Sequence, residues 1–245
     1  MDPGAFYEKY NAFQTQKGLD LISHLQLKAG YRVLDIGAGT GELTYELAKQ
    51  VTSSGRVFAI EPDAERLKIA KENTPFKITN IDWYQSTIEL FDNLPLNSLD
   101  AAYSNYVLHW SSNKKAALLK ICSLLKPTSK FIANIIADYS QIISEVEMAS
   151  GLTYKEFQQK YPLTDKKNWL SLLDECNFSI TNHWEVKDFQ FDSLDEFLIF
   201  WEATTHGRYS RKALSDNAYQ ALLKKYPNKV KLFGRETLSV LCVKK

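Results

Sequence analysis

Three glycines at alternate positions, Gly37, Gly39 and Gly41, follow the apolar run Val33-Leu34-Asp35-Ile36, and an acid, Glu61, closes the next such run, Val57-Phe58-Ala59-Ile60. Glycine has no Cβ, so these positions admit positive φ and let a ligand come close to the backbone. Val33, Leu34 and Ile36 lack a 3.6-residue period and read as a parallel strand buried on both faces. Beyond the loop, Leu43, Leu47, Ala48 and Val51 fall on one stripe. That stripe predicts a helix whose first amides can bind an anion. Strand, glycine loop, helix and distant acid describe a nucleoside site. A dinucleotide fingerprint, G-x-G-x-x-G, would need glycine where Glu42 stands, and an acid facing a pyrophosphate is a poor choice. The loop suits a ligand with one carboxylate and one cationic group.

S-adenosylmethionine carries both groups. Residues 33–41 and Glu61 resemble the first motif and the ribose-binding acid of the class I S-adenosylmethionine-dependent methyltransferases. The resemblance implies that loop amides around Gly37 and Gly39 hold the methionine end, that Glu61 takes both ribose hydroxyls, and that S-adenosylhomocysteine is the product. Open α/β sheets bind ligands outside the carboxyl ends of their strands. Asp35, Gly37, Ala38, Gly39, Glu61, Pro62, Ser86, Thr87 and Ser104 are therefore the expected cofactor-binding residues. Many relatives carry an Asp that accepts from the adenine amino group where this chain has Ser86, a weaker acceptor. Trp83 and Ile88 could sandwich the base or simply fill core.

Ser104-Asn105-Tyr106-Val107-Leu108-His109-Trp110, together with Tyr10-Asn11-Ala12-Phe13-Gln14, resembles the branch containing juvenile-hormone-acid and trans-aconitate methyltransferases. That branch implies that Gln14 and Trp110 hold a substrate carboxylate. A carboxylate is already nucleophilic at neutral pH, so donors that orient it suffice, here an amide and an indole N–H. A phenol or amine acceptor of a natural product would need a base, for which His109 or His206 is the candidate. Gln14, His109 and Trp110 are thus the expected catalytic positions, and Tyr7, Gln14, Trp110, Trp201 and His206 the expected substrate contacts. No histidine or cysteine cluster implies a metal. A nicotinamide oxidoreductase and a non-catalytic cofactor-binding protein are the readings from other classes.

The elements that must position these groups follow a regular βα alternation. Strands are expected at Val33–Ile36, Arg56–Ile60, Ile81–Gln85, Leu99–Ser104, Lys130–Ala137 and Phe178–Val186, with a last one at Glu236–Val243. Helices are expected near Phe6–Leu25, where Gly18 weakens the pattern, at Glu42–Val51, at Asp63–Asn73 with Asp63 as cap, and at Ser112–Leu125. Ser193-Leu194-Asp195-Glu196 reads as a capping box opening an apolar helix, a lid segment or a core one. The expected fold is α/β, a doubly wound, mostly parallel seven-stranded Rossmann-like sheet with an antiparallel last strand at the edge and helical lid insertions. Residues 1–245 are expected to form one domain, with a helical cap at 1–30, a cofactor-binding core at 31–137, and substrate-side insertions at 138–165 and 187–227.

Composition sets the remaining expectations. Of 245 residues 44% are hydrophobic, enough for a sizeable core, and 30 Lys+Arg against 29 Asp+Glu leave a net charge of +1. No global field draws the chain to nucleic acid or an anionic membrane, so the expected partner is a small molecule. The three cysteines, Cys122, Cys176 and Cys242, form no C-x-x-C pair and read as reduced core residues. With no apolar leader or long apolar stretch, the cytoplasm is the expected compartment.

Overall fold

The computed structural model describes residues 3–138, 140–153, 155, 156, 159, 163–185, 189–204, 211–232 and 237–245, with the side chains of all of these except 3–11, 185, 189, 203 and 204. The chain forms two compact units, one of Thr15–Ile135, Lys166–Trp184 and Leu238–Lys245, the other of Met1–Gln14, Ile136–Asp165 and Glu185–Thr237.

The larger unit is built on a sheet of seven strands. They are β1 (Arg32–Ile36), β2 (Arg56–Ile60), β3 (Ile81–Tyr84), β4 (Leu99–Asn105), β5 (Leu125–Ile136), β6 (Phe178–Glu185) and β9 (Thr237–Lys244), in the order β3-β2-β1-β4-β5-β9-β6. The sheet is mostly parallel with one antiparallel strand and is flanked by helices. Central β1 pairs with β2 through Leu34 and Phe58 and with β4 through Leu34 and Ala102. Strand order reverses between β1 and β4, which opens a crevice at their carboxyl ends. The chain-terminal strand was expected at the edge; β9 instead lies between β5 and β6. Its residues Thr237–Val240 and Cys242 are buried, whereas β6 exposes Ser179, Thr181, Asn182 and His183 as an edge strand can.

The helices of this unit begin where side-chain oxygens can satisfy free amides. Asp63 Oδ1 accepts from the N–H groups of Glu65 and Arg66 at 2.9 and 3.0 Å to open α3 (Ala64–Glu72), and Asn113 Oδ1 accepts from Ala116 N–H at 3.0 Å to open α4 (Lys114–Leu124). α4 ends at Leu124 and β5 starts at Leu125 rather than at the expected Lys130, absorbing Pro127 through a register shift, with Thr128 at φ 65°. α1 (Pro3–Leu25) is one continuous helix across Gly18. A Cβ at Gly18 would stand 2.3 Å from Leu43 Cδ1 and 2.7 Å from Tyr103 Oη, so this glycine marks a close approach rather than a break. Leu21, Ile22 and Leu25 of α1 pack with Val33, Val57, Ala101, Tyr103 and Ile132 of the sheet and with Leu47, Ala48 and Val51 of α2 (Glu42–Val51). Burying each such aliphatic side chain contributes about 1.5–3 kcal/mol. Cys122, Cys176 and Cys242 are all buried free thiols.

The smaller unit has its own core. It contains α5 (Gln141–Ala149), α7 (Leu194–Thr204), α8 (Asp216–Lys225) and a two-stranded antiparallel ribbon of β7 (Phe189–Phe191) and β8 (Val230–Leu232) in the register Phe191↔Val230. α6 (Lys166–Glu175) belongs to the larger unit. The capping box forms with Ser193 Oγ accepting from Glu196 N–H at 3.2 Å, while the Glu196 carboxylate accepts from Asp192 N–H at 2.7 Å. Leu194, Phe197, Leu198, Phe200 and Trp201 of α7 join Ile142, Val146, Leu214 and Leu222 in one cluster. The helix is apolar nearly all round because it is the core of this unit. Among the described residues no helix is long and apolar enough to cross a membrane.

Gly18→Ala places a methyl group where Leu43 and Tyr103 already pack. It is expected to destabilise the protein by about 1–3 kcal/mol, read as a lowered midpoint in chemical denaturation. An unchanged midpoint would show that the α1 contact yields freely.

Candidate active site

β1 does not stop pairing at its last residue. The N–H groups of Gly37 and Ala38 both donate to the Ile60 carbonyl at 2.9 and 3.0 Å, which carries the β1–β2 ladder into the glycine loop. Gly37 (φ 75°), Gly39 (φ 57°) and Gly41 (φ 95°) all adopt positive φ. A Cβ at Gly37 would collide with Val107 Cγ2 at 2.2 Å, whereas one at Gly39 would meet nothing within 4 Å. The first glycine thus admits a neighbouring strand end and the second faces open space. Glu61, 5% exposed, binds the loop from below: Oε2 accepts from Gly39 N–H at 2.9 Å and Oε1 from Asp63 N–H at 3.0 Å. Each oxygen keeps a lone pair for a further donor. The amides of Gly37, Ala38 and Gly39 are thus engaged by Ile60 and Glu61.

The end of β4 supplies the opposite wall. Ser239 Oγ donates to Asn134 Oδ1, Asn134 Nδ2 donates to Asn105 Oδ1 at 2.9 Å, and the Asn134 carbonyl accepts from Tyr106 N–H at 2.9 Å. Ser239 and Asn134 are buried, so this chain of bonds across β9, β5 and β4 pins a left-handed residue, Tyr106 (φ 59°). The backbone then swings Val107 onto Gly37 and enters a 3-10 turn, Leu108–Trp110. A cavity of about 570 Å³ lies between this turn and the ends of β1, β2 and β3. Its lining includes Gly37, Pro62, Ser86, Thr87, Glu89 and Trp110.

Two titratable groups at these strand ends are buried. Asp35, 2% exposed, accepts from Thr44 Oγ1 at 2.6 Å; burial, reinforced by the Glu61 charge and opposed by the Thr44 bond, raises its pKa to about 7. His109, 5% exposed, is pushed down to about 3 by burial and by the Lys114 charge. A 3-10 turn advances about a third of a circle per residue. Leu108 and Trp110 line the cavity and His109 turns inward between them. Burial thus favours the neutral imidazole of His109, which at so low a pKa is a weak proton acceptor.

A glycine loop with its acid and a cavity at the sheet's topological switch point invite comparison with known proteins. The methyltransferase domain family matches residues 27–177, more than half of the 245-residue chain. The chain belongs to that family. A ubiquinone/menaquinone biosynthesis C-methyltransferase, UbiE, of Francisella philomiragia is 29% identical over 141 residues, 57% of this chain and 54% of that protein. The chain thus spans about half the length of that relative. An uncharacterized methyltransferase of Schizosaccharomyces pombe is 24% identical over 188 residues, 71% of this chain and 69% of that one. The crystal structure of a SAM-dependent methyltransferase from Aquifex aeolicus superposes with a TM-score of 0.61 at 16% identity over 100% of both chains. Family membership sets aside the nicotinamide oxidoreductase reading.

Within this chain, Gly37, Pro62, Ser86, Thr87 and Trp110 share the cavity lining, and Trp110 is 59% exposed there. Asp35, Ala38, Gly39 and Glu61 form the loop and its support beside them. Ser104 is fully buried, its Oγ donating to the Ile36 carbonyl at 3.3 Å, so its hydroxyl braces β1. Ile88 lines the cavity, while Trp83 packs edge-on to Tyr45. Gln14 is half-buried in α1 and belongs to the smaller unit. Trp201 sits in that unit's core with Nε1 donating to the buried Glu147 carboxylate at 2.8 Å. Tyr7's side chain and His206 lie outside the described residues. Sequence reasoning missed Glu89, Ser111, Ser112 and Asn113 in the lining. Apolar or polar residues in connecting turns carry no periodicity, and their place just after strands three and four was the only signal.

A raised carboxyl pKa means the folded state binds more protons than the unfolded one between pH 3.8 and about 7. Wild-type stability should therefore fall as pH rises through that window, relative to Asp35→Asn, with a slope approaching about 1.4 kcal/mol per pH unit. Urea titrations of both proteins across the window test this. Parallel pH profiles would contradict it.

Proposed function

We propose that the protein transfers a methyl group from S-adenosylmethionine to a small-molecule acceptor in the cytoplasm, with a carboxyl oxygen as the acceptor atom. The observation that carries the cofactor reading is Glu61, a buried carboxylate fixed by two backbone amides beside the open space over Gly39 and the cavity at the β1–β4 switch point. The residues fit an adenosyl group. Two carboxylate oxygens with lone pairs remaining match two vicinal ribose hydroxyls, and a Cβ at Gly39 would fill the space that a ligand needs. When bound, S-adenosylmethionine supplies a sulfonium methyl group open to in-line displacement.

This chain's own residues bind and orient. Glu61 holds the ribose edge, and Ile36, Ile60, Ile88 and Val107 provide apolar walls that exclude water from a base. Trp110, on the cavity lining, is the group that supports an oriented acceptor, its indole N–H donating to a carboxylate. Gln14 is its partner by the resemblance to the juvenile-hormone-acid and trans-aconitate branch. A carboxylate needs no proton removed before attack, which agrees with the weak basicity of His109.

Glu61→Ala is expected to weaken S-adenosylhomocysteine binding by about 1.5–3 kcal/mol, measured by calorimetry; an unchanged dissociation constant would sink the cofactor reading. The acceptor is tested with methyl-labelled cofactor and a panel of acids, phenols and amines. Label on an acid, with turnover impaired but cofactor affinity spared in Gln14→Ala and Trp110→Phe, supports the carboxylate reading. Label on phenols or amines alone replaces it, and cofactor binding without any labelled product indicates a non-catalytic protein.

A further inference from the structure

β3 is an outer strand of the seven-stranded sheet, paired among the described residues with β2 alone. The Asn80 carbonyl accepts from Val57 N–H at 2.9 Å and the Tyr84 carbonyl from Glu61 N–H at 3.0 Å, so the even-numbered residues of this stretch face β2. Alternation then points the N–H and C=O groups of Ile81, Trp83 and Gln85 away from the sheet. Such a row is a template for a further strand. The opposite edge, β6, exposes Ser179, Thr181, Asn182 and His183, whereas β3 is flanked by two exposed apolar side chains, Phe76 at 87% and Leu90 at 76%. Nothing along β3 blunts the edge. Its register with β2 is unbroken, and Asp82, its one charged residue, is engaged by Arg56 of β2, whose Nε donates at 2.8 Å.

The segment is also complementary to itself. Phe76 stands seven residues before Trp83 and Leu90 seven after it, while Lys77 stands six before and Glu89 six after. Turning one copy end for end about Trp83 therefore brings apolar to apolar and cation to anion. A turn closed by Ile78 N–H donating to the Pro75 carbonyl at 2.8 Å presents Phe76 and Lys77 to solvent. We propose that two copies of this chain pair antiparallel along their β3 edges about a two-fold axis at Trp83, with Phe76 and Lys77 of each copy meeting Leu90 and Glu89 of the other. Trp83 pairs with its own counterpart and Ile81 with Gln85, each pair exchanging two backbone hydrogen bonds. The chain turns out of strand geometry before Phe76 and Leu90, so their contact joins end segments rather than rungs of the ladder. A self-complementary two-fold contact closes at the dimer. Leu90 lines the cavity, so Phe76 of the second copy covers part of its rim. The pairing holds whichever cofactor and acceptor the site takes.

Sedimentation equilibrium of the full chain across micromolar concentrations tests this. The wild-type protein should form a dimer. Lys77→Glu sets like charges at both ends of the pair and should raise the dissociation constant about tenfold; combining it with Glu89→Lys should bring the constant back. Gln85→Pro removes an outward amide while sparing the bonds to β2, and should leave a monomer with an unchanged circular dichroism spectrum. A wild-type protein that stays monomeric overturns the inference, as does a dimer indifferent to both Lys77→Glu and Gln85→Pro. A charge swap that fails to restore pairing overturns the antiparallel register.

Discussion

One carbonyl oxygen organises the candidate site. Ile60 accepts the N–H groups of both Gly37 and Ala38, so the loop after β1 is an extension of the sheet rather than an independent turn. That attachment forces the loop to leave the sheet through a positive-φ residue, and Gly37 stands there at φ 75°. It also aims the next amide, Gly39 N–H, at Glu61, the residue that follows Ile60 in β2's own continuation. Loop and acid are thereby fixed by one short stretch of β2. A carboxylate bound by two backbone amides is oriented before any ligand arrives, which removes an ordering cost from binding.

The second wall depends on the first. Val107 can seal against the loop only because Gly37 has no side chain, and Val107 reaches it only because Tyr106 turns the backbone through a left-handed conformation. Buried polar groups cross three strands to hold that turn, from Ser239 through Asn134 to Asn105. Burying amides and hydroxyls costs free energy unless all are paired, so such a network resists displacement once formed. The interior position of β9 matters here, since Ser239 could not bond to Asn134 from the far edge of the sheet. The 3-10 turn that follows decides which side chain of the Leu108-His109-Trp110 run meets the cavity.

Much of this was legible in the residues, for reasons that differ by element. The apolar runs of β1, β2 and β4 announce strands because strands buried on both faces leave no polar period. Asp63 announces its helix because a carboxylate oxygen satisfies free amides at a helix start, and Gly37 because few other residues tolerate its φ. Gly18 misled, since helix propensity registers its entropy cost while the contact that requires it, with Leu43 and Tyr103, is remote in sequence. The early start of β5 was hidden too, because a register shift lets the strand absorb Pro127. The apolar circumference of α7 suggested a lid or a core segment with equal force, and packing against α5 and Glu147 identifies the core.

The sequence by itself determined the glycine loop, the acid at the end of β2 and the βα alternation, because each rests on local chemistry: dihedral freedom, charge and burial on a pleated surface. It could not decide which lone pairs and amides remain for a ligand. Only the tertiary structure assigned Gly37, Ala38 and Gly39 to Ile60 and Glu61, turned His109 inward, put Trp110 and Glu89 on the cavity, and gave α7 its own core. Those outcomes depend on contacts between residues tens of positions apart, and no period or spacing along the chain records them.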